Sequence, residues 1–147
     1  MIQIDDLMAY DWVLYNGNPV RVEEISRPSQ KVAMTTPNLA AMGVSIEKIE
    51  PIEISALSDA VMEKNGFHVD SFEGESWWCR DIDMRVDLSH IYCSINIEFK
   101  DGKTFVDILY QDGVDVRTFK GPLKYVHQIQ NALRATGLTL NIFVTMK

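Results

Sequence analysis

Residues 121–145, GPLKYVHQIQNALRATGLTLNIFVT, contain the start and stop signals of one helix. Pro122 suits the first helical position, where its missing N–H costs nothing, and Gly137 suits the left-handed residue that ends a helix. At about 100° per residue, the apolar residues collect on one half of the helical wheel: Leu123, Tyr125, Val126, Ile129, Ala132 and Leu133. The stretch therefore predicts a helix over residues 122–136 that packs on a sheet, followed by a strand over residues 138–145.

The other half of this helix is polar, and the chain around it is basic. Residues 116–147 contain five Lys/Arg and no acidic residue, although the whole chain has a net charge of −7. The overall acidity disfavours indiscriminate nucleic-acid binding, because attraction to phosphate needs a positive field. A small basic-polar face remains the basis for one alternative function, nucleic-acid association, through Lys120, Lys124, Gln128, Asn131 and Arg134. We expect His127, on the same half, to be solvated or to cap a strand.

Composition limits the class of protein. The 147 residues are 46% apolar and 24% charged, which is typical of a folded chain with one ordinary domain or two small ones. No apolar run approaches the ~20 residues needed to span a bilayer, and the N-terminus lacks the basic and apolar regions of a secretory signal. We expect a cytoplasmic protein without a membrane segment.

Residues 1–53 predict a first module of short strands. Trp12–Tyr15 and Val20–Ile25 flank the turn Asn16-Gly17-Asn18-Pro19. Weaker strand patterns cover residues 31–35 and 44–49, with a loop around Pro37 and Gly43 between them. About five short strands in so few residues favour a small SH3-like β-barrel. Pro51 marks the joint to the next module.

Residues 54–147 predict an α+β module with an antiparallel sheet of four to six strands and two helices on one face. Ser55 suits the N-cap of a helix that runs to Lys64. Apolar residues alternate from Ile82 to Leu88, so this strand has one wet face. Asp101-Gly102 is a strong two-residue hairpin signal, and it places Phe99 opposite Thr104. In that register one face is uniformly apolar, with Ile91, Cys93, Ile95, Ile97, Phe99, Val106, Ile108 and Tyr110.

Several aromatic and aliphatic residues fall where the pattern predicts exposure. Tyr92, Phe105 and Leu109 lie on the outward side of the same hairpin, which is more apolar than a solvated face needs. Trp77 and Trp78 are adjacent on a strand, so one indole points inward and one outward. Trp12 and Tyr15 are candidates for a ligand platform on the barrel. These seven residues are the candidate protein contacts.

Groups that could support catalysis are sparse. Cys79, His90 and Cys93 lack the paired short spacing of a structural zinc site, and the two cysteines form no disulfide framework. Asp81, Asp83 and Asp87 share one side of a strand, and such a row could hold a divalent cation in a metal-dependent enzyme. A solvated edge strand that resists aggregation explains the same row. No phosphate-binding loop occurs, and we assign no catalytic residue, metal or cofactor.

The chain resembles a group of small uncharacterised proteins common in prophages and mobile elements of gut anaerobes. The shared pattern is YNGxPxxVxEI, then IEPI, then YVHQLQN, and it corresponds here to residues 15–25, 49–52 and 125–131. Departures from the pattern occur at Glu53, Arg134 and Leu138. The resemblance implies a two-module architecture in a bacterial or phage setting, and it implies no activity.

The sequence therefore favours a non-enzymatic protein-interaction or structural accessory protein, with a protein partner or self-association. Nucleic-acid association and metal-dependent catalysis are the two alternatives.

Overall fold

The computed structural model describes residues 2–36, 39–86, 88–136, 143, 145 and 146, and these form two antiparallel sheets with two helices. The chain is therefore a mixed, mostly β protein, and the predicted α+β class is confirmed at this level. The buried apolar residues divide into two clusters, one for each sheet.

The N-terminal sheet is a meander in which the last strand returns beside the first. Its order is β4-β3-β2-β1-β5. Asn16 and Gly17, with φ of 51° and 77°, form the two-residue turn between the first two strands. Its core includes Val13, Val20 and Val32. The strands are β1 (Trp12–Tyr15), β2 (Asn18–Ser26), β3 (Lys31–Thr36), β4 (Leu39–Ser45) and β5 (Ile49–Glu50).

This sheet is not a closed barrel, which corrects part of the prediction for residues 1–53. β4 and β5 form its two edges, and no pairing between them occurs in the described residues. The predicted strand over residues 44–49 is interrupted by a 3-10 turn at Ile46–Lys48, which separates β4 from β5. Gly43 lies within β4 at a φ of 67°, and Pro37 lies outside the described residues.

The C-terminal sheet contains five strands in sequence order, β10-β9-β8-β7-β6, and every neighbouring pair is antiparallel. Both helices contribute to the core on one side of it, through Met62 from the first and Val126, Ile129 and Leu133 from the second. The elements are α1 (Asp59–Lys64), β6 (His68–Phe72), β7 (Glu75–Val86), β8 (Ser89–Lys100), β9 (Lys103–Asp112), β10 (Asp115–Pro122) and α2 (Val126–Ala135).

The hairpin register predicted from Asp101-Gly102 is confirmed. Phe99 pairs with Thr104, and both turn residues have positive φ, at 53° and 73°. The predicted apolar face is the inner side of the sheet, where Cys93, Ile95, Ile97, Val106 and Ile108 are buried against the helices. Phe99, at the end of the hairpin, is 45% exposed.

Both helix starts differ from the prediction. The N-cap of α1 is Ser58, whose Oγ accepts a hydrogen bond from the Val61 N–H at 3.2 Å, whereas Ser55 lies in a 3-10 turn at Ile54–Ala56. Pro122 does not begin α2, because it ends β10 opposite Phe105. A proline is tolerated there because β10 is an edge strand and needs no second ladder of hydrogen bonds.

Gln128 determines where α2 begins. Its Oε1 accepts hydrogen bonds from the main-chain N–H groups of Lys124 and Tyr125 at 2.9 and 3.0 Å. The predicted helix stop at Gly137 and most of the predicted strand over residues 138–145 lie outside the described residues. Phe143 is buried in the C-terminal core, where its ring stacks on Phe67 at 5.7 Å.

The polar flank of α2 contacts the N-terminal module. Gln130 Oε1 accepts from the Trp12 N–H at 3.0 Å, and Gln130 Nε2 donates to the Tyr10 carbonyl at 3.1 Å. Asn131 Nδ2 donates to the Asp6 carbonyl at 2.7 Å. The expectation that His127 is solvated is wrong, since it is only 4% exposed in the same region.

An ion pair joins the two modules beside these hydrogen bonds. Asp11 is fully buried, and its carboxylate pairs with the guanidinium of Arg134 and accepts from the Met8 N–H at 2.8 Å. Burial raises the pKa of Asp11, and both the Met8 hydrogen bond and Arg134 act in the opposite direction. A buried carboxylate needs such partners, so Arg134 is engaged in holding the fold together.

We predict that Gln130→Ala weakens the junction between the modules. The substitution leaves the Trp12 N–H and the Tyr10 carbonyl without their side-chain partner, which costs about 1–3 kcal/mol of unfolding free energy. Urea unfolding of this variant and of Gln111→Ala, a control at an exposed glutamine, measures the effect. Equal stability of the two variants would contradict the assigned role of Gln130.

We predict that His127 makes the fold sensitive to mild acid. Burial lowers its pKa from 6.5, and nearby Asp6 opposes the shift only in part. Nδ1 is buried and has no hydrogen-bond partner among the residues that the structure describes. The unfolded chain therefore binds a proton more readily than the folded chain, so stability falls as the pH drops below about 6.5.

His127→Phe removes this titration, and its unfolding free energy should decline less than that of the wild type between pH 7 and pH 5. Asp11, whose pKa is raised, contributes with the opposite sign. Because Asp11 is present in both proteins, its contribution is common to the two profiles that are compared. Parallel pH profiles for the two proteins would refute the assignment to His127.

Candidate functional site

Strand pairing places four of the predicted contact residues on the side of the C-terminal sheet away from α2. We call this side the outer face. Trp77 pairs with Asp70, Tyr92 with Asp83 and Gln111, Phe105 with Glu98, and Leu109 with Ser94. Trp78 pairs with Ile97 on the inner side and packs against the core, so the prediction of one inward and one outward indole is confirmed.

Trp77 and Phe105 lie in one groove of the outer face, which we call the outer groove. It has a volume of about 610 Å³, and Phe105 is 40% exposed there. Pairing across the strands places Glu98 opposite Phe105, and Asp107 between Asn96 and Lys120. The groove is lined by Trp77, Asn96, Glu98, Phe105, Val106, Asp107, Lys120 and Gly121.

The outer groove combines aromatic surface with unequal charge. Two aromatic rings provide apolar surface, and two carboxylates face one ammonium group, so the groove has a net negative charge. The main-chain groups of β8 and β9 are already paired with strands on both sides. A ligand in the groove can therefore contact only side chains of these strands. An apolar group of the ligand can pack on the aromatic rings, and a basic group next to it can pair with the carboxylates.

Tyr92 and Leu109 continue the apolar surface along the same face. Both are half-buried, and the Tyr92 hydroxyl donates to Asp81 Oδ1 at 3.3 Å. Burial and the neighbouring carboxylate raise the pKa of Tyr92, so the phenol keeps its proton and remains a donor. The outer face is therefore an ordered surface of mixed chemistry.

The aspartate row does not form a metal site in the described residues. Asp83 binds His90, and Asp81 accepts from Tyr92, whereas Asp87 lies outside the described residues. No group of three or more His, Cys, Asp or Glu side chains that could hold a metal ion occurs within the described ranges. Within the described residues β6 pairs only with residues 75–79, and Asp81 and Asp83, in the later part of β7, are exposed.

The two cysteines lie on opposite sides of the sheet. Cys79 pairs with Asn96 on the outer face, and its Sγ is 3.8 Å from Asp81 Oδ1, while Cys93 is fully buried on the inner side. Burial raises the pKa of both thiols, that of Cys93 to about 11. Neither environment favours the thiolate that nucleophilic chemistry or metal binding requires.

Trp12 and Tyr15 do not form a shared platform. They lie three residues apart on β1 and so point to opposite faces of the N-terminal sheet. Trp12 Nε1 donates to the Phe143 carbonyl at 2.6 Å, and its ring packs against the C-terminal core. Tyr15 packs against the N-terminal core.

The five nucleic-acid candidates fall into three groups: Asn131 with Arg134, Lys124 with Gln128, and Lys120. Asn131 and Arg134 bind the N-terminal module, and Gln128 caps α2. Lys124 pairs with Glu53 at 3.4 Å, and Lys120 lines the outer groove on another element.

Sequence reasoning did not single out Asn96, Glu98 and Asp107, which line the outer groove beside Phe105. Their signal was available, since all three share the outward positions of the hairpin whose register the Asp101-Gly102 turn sets. The sequence pattern could not show that Trp77 on β7 and Lys120 on β10 lie beside these residues in the folded sheet.

Comparison with protein-family models, with curated proteins and with solved structures found no match for this chain. Neither described helix is long and apolar enough to cross a membrane.

We predict that both cysteines react slowly in the folded protein. Their raised pKa values and burial keep the thiolate scarce and inaccessible, so labelling by a disulfide reagent should be slow in buffer and fast in denaturant. A burst of one thiol equivalent from the folded chain would contradict the placement of Cys79.

Proposed function

We propose that this chain is a non-enzymatic protein-interaction or structural accessory protein of a mobile element or prophage, acting in the cytoplasm. Its contact surface is the outer face of the C-terminal sheet. The observation that carries the proposal is the outer groove, where Trp77 and Phe105 remain accessible on a face that the core does not use. The sequence resemblance supports the setting.

The partner is a protein segment with an apolar side chain next to basic residues. The apolar side chain fills the space between Trp77 and Phe105, and the basic residues pair with Glu98 and Asp107. Tryptophan and other large aromatic residues supply much of the binding energy at protein interfaces when a partner desolvates them. The carboxylates add selectivity for positive charge.

The N-terminal module contacts α2 through Gln130, Asn131 and Arg134 and does not contribute to the outer groove. We assign it a partly open SH3-like arrangement, which its strand order and the 3-10 turn before β5 support. Because Trp12 is held by Phe143 and Gln130, we assign this module a structural role and no ligand platform.

Phe105→Thr tests the proposal. Threonine keeps the strand preference and removes the ring, so the fold should be retained while partner binding weakens about tenfold or more, as at other aromatic hot spots. The matched control is Phe99→Thr, which removes the same ring at 45% exposure, against 40% for Phe105, from the opposite face of the same sheet.

Affinity capture with the wild type and both variants, followed by titration calorimetry with the purified partner, provides the measurement. A partner retained by the wild type and by Phe99→Thr but lost by Phe105→Thr supports the assignment. Equal binding by all three proteins would exclude the outer groove as the contact site.

A further inference from the structure

β6 and β10 are the two edges of the C-terminal sheet, and both are open to solvent. Every side chain of β6 is exposed, as are six of the eight in β10. Val69 and Phe72 on β6 are 58% and 68% exposed, and Val116 on β10 is 55% exposed. No other strand pairs with these edges in the described residues, so each presents main-chain groups that a further strand can bind.

The charges of the two edges are complementary. β6 contains one charged residue, Asp70, whereas β10 contains Arg117 and Lys120 after its first residue, Asp115. Pairing β6 with β6 brings two aspartates together, and pairing β10 with β10 joins two strands that each have a net positive charge. Like charges on neighbouring strands destabilise a sheet. Pairing β6 with β10 of another copy brings opposite charges together.

Strand direction fixes how such a pair forms. Neighbouring strands are antiparallel and the sheet has five of them, so β6 and β10 run in the same direction. A second copy displaced sideways in the plane of the sheet therefore brings its β10 alongside β6 as a parallel neighbour. The helices of both copies then remain on the same side.

One register matches the side chains as well as the charges. Asp70 and Lys120 both lie on the outer face, opposite Trp77 and Asp107 respectively. When these two residues are neighbours, Val69 falls beside Phe119 on the inner side. In the same register Phe72 falls beside Pro122 on the outer face.

We propose that this chain assembles head to tail with copies of itself, with β6 of one copy parallel to β10 of the next and Asp70 beside Lys120. The contact is heterologous, so it generates a ring if the rotation between copies closes and a filament if it does not. It goes beyond the proposed function, because it joins copies of this chain through the sheet edges. Lys120 belongs to this contact and also lines the outer groove, so Phe105→Thr, and not Lys120→Glu, separates the two proposals.

Charge reversal tests the pairing. Asp70→Lys and Lys120→Glu should each lower the association constant about fivefold or more, because each places like charges together. The double variant should restore association.

Glu47→Lys and Lys48→Glu are the controls. They change the net charge by the same amounts at exposed sites of the N-terminal module, and they should associate as the wild type does. Sedimentation velocity over a concentration series measures all six proteins.

A cysteine pair tests the register. Ser71→Cys with Gly121→Cys places two thiols side by side across the proposed contact, at a strand spacing of about 4.8 Å that a disulfide can bridge. Gly121 has room for a side chain, since among the described residues an added Cβ would meet only Phe119, at 3.7 Å. Within one copy the two positions are about 19 Å apart across the sheet, so any disulfide between them joins two copies.

Oxidation should give a covalent ladder for this pair but not for Ser71→Cys with Arg117→Cys, which is four residues out of register. A wild-type chain that stays monomeric up to millimolar concentration would overturn the proposal. Failure of the double charge variant to associate, or equal weakening by the Lys48→Glu control, would overturn it too. Phe105→Thr should assemble normally, so failure of assembly is distinguishable from loss of partner binding.

Discussion

Helix α2 is shared by the two sheets, and the rest of the structure depends on that sharing. Its apolar flank packs on the C-terminal sheet, while Gln130 satisfies main-chain groups of Tyr10 and Trp12. Buried main-chain groups without partners are costly, so this one side chain makes the approach of the N-terminal module favourable. Arg134 likewise provides a partner for a buried group, because its guanidinium forms an ion pair with the carboxylate of Asp11.

This arrangement separates the residues that build the core from those available for contact. Helix α2 covers the inner side of the C-terminal sheet, so the apolar residues on that side are buried in the core. The aromatic residues of the outer face add little to that core. Phe105 is 40% exposed and Trp77 is half-buried beside it, and this accessible aromatic surface is the basis of the proposed role in binding.

The sequence predicted what local chemistry determines. The Asp101-Gly102 turn fixes a register, and alternation then assigns each side chain of the hairpin to a face. It failed where a distant group decides the outcome. His127 lies on the polar half of the helical wheel and was expected to be solvated, yet it is only 4% exposed. The neighbouring Gln130 has its partner Trp12 118 residues away, which no local pattern indicates. The start of α2 was misplaced because Pro122 suits both an edge strand and a helix start.

The outer groove was only partly predictable for the same reason. Its residues come from β7, β8, β9 and β10, and pairing of separate strands brings them together. In the proposed assembly, strand pairing also joins one copy to the next. Such pairing continues the sheet at its edges and leaves its outer face uncovered. Each added copy repeats the groove in the same orientation along one surface. A contact of modest affinity at a single groove then becomes much stronger for a partner that spans several grooves, because later contacts form at a high effective concentration.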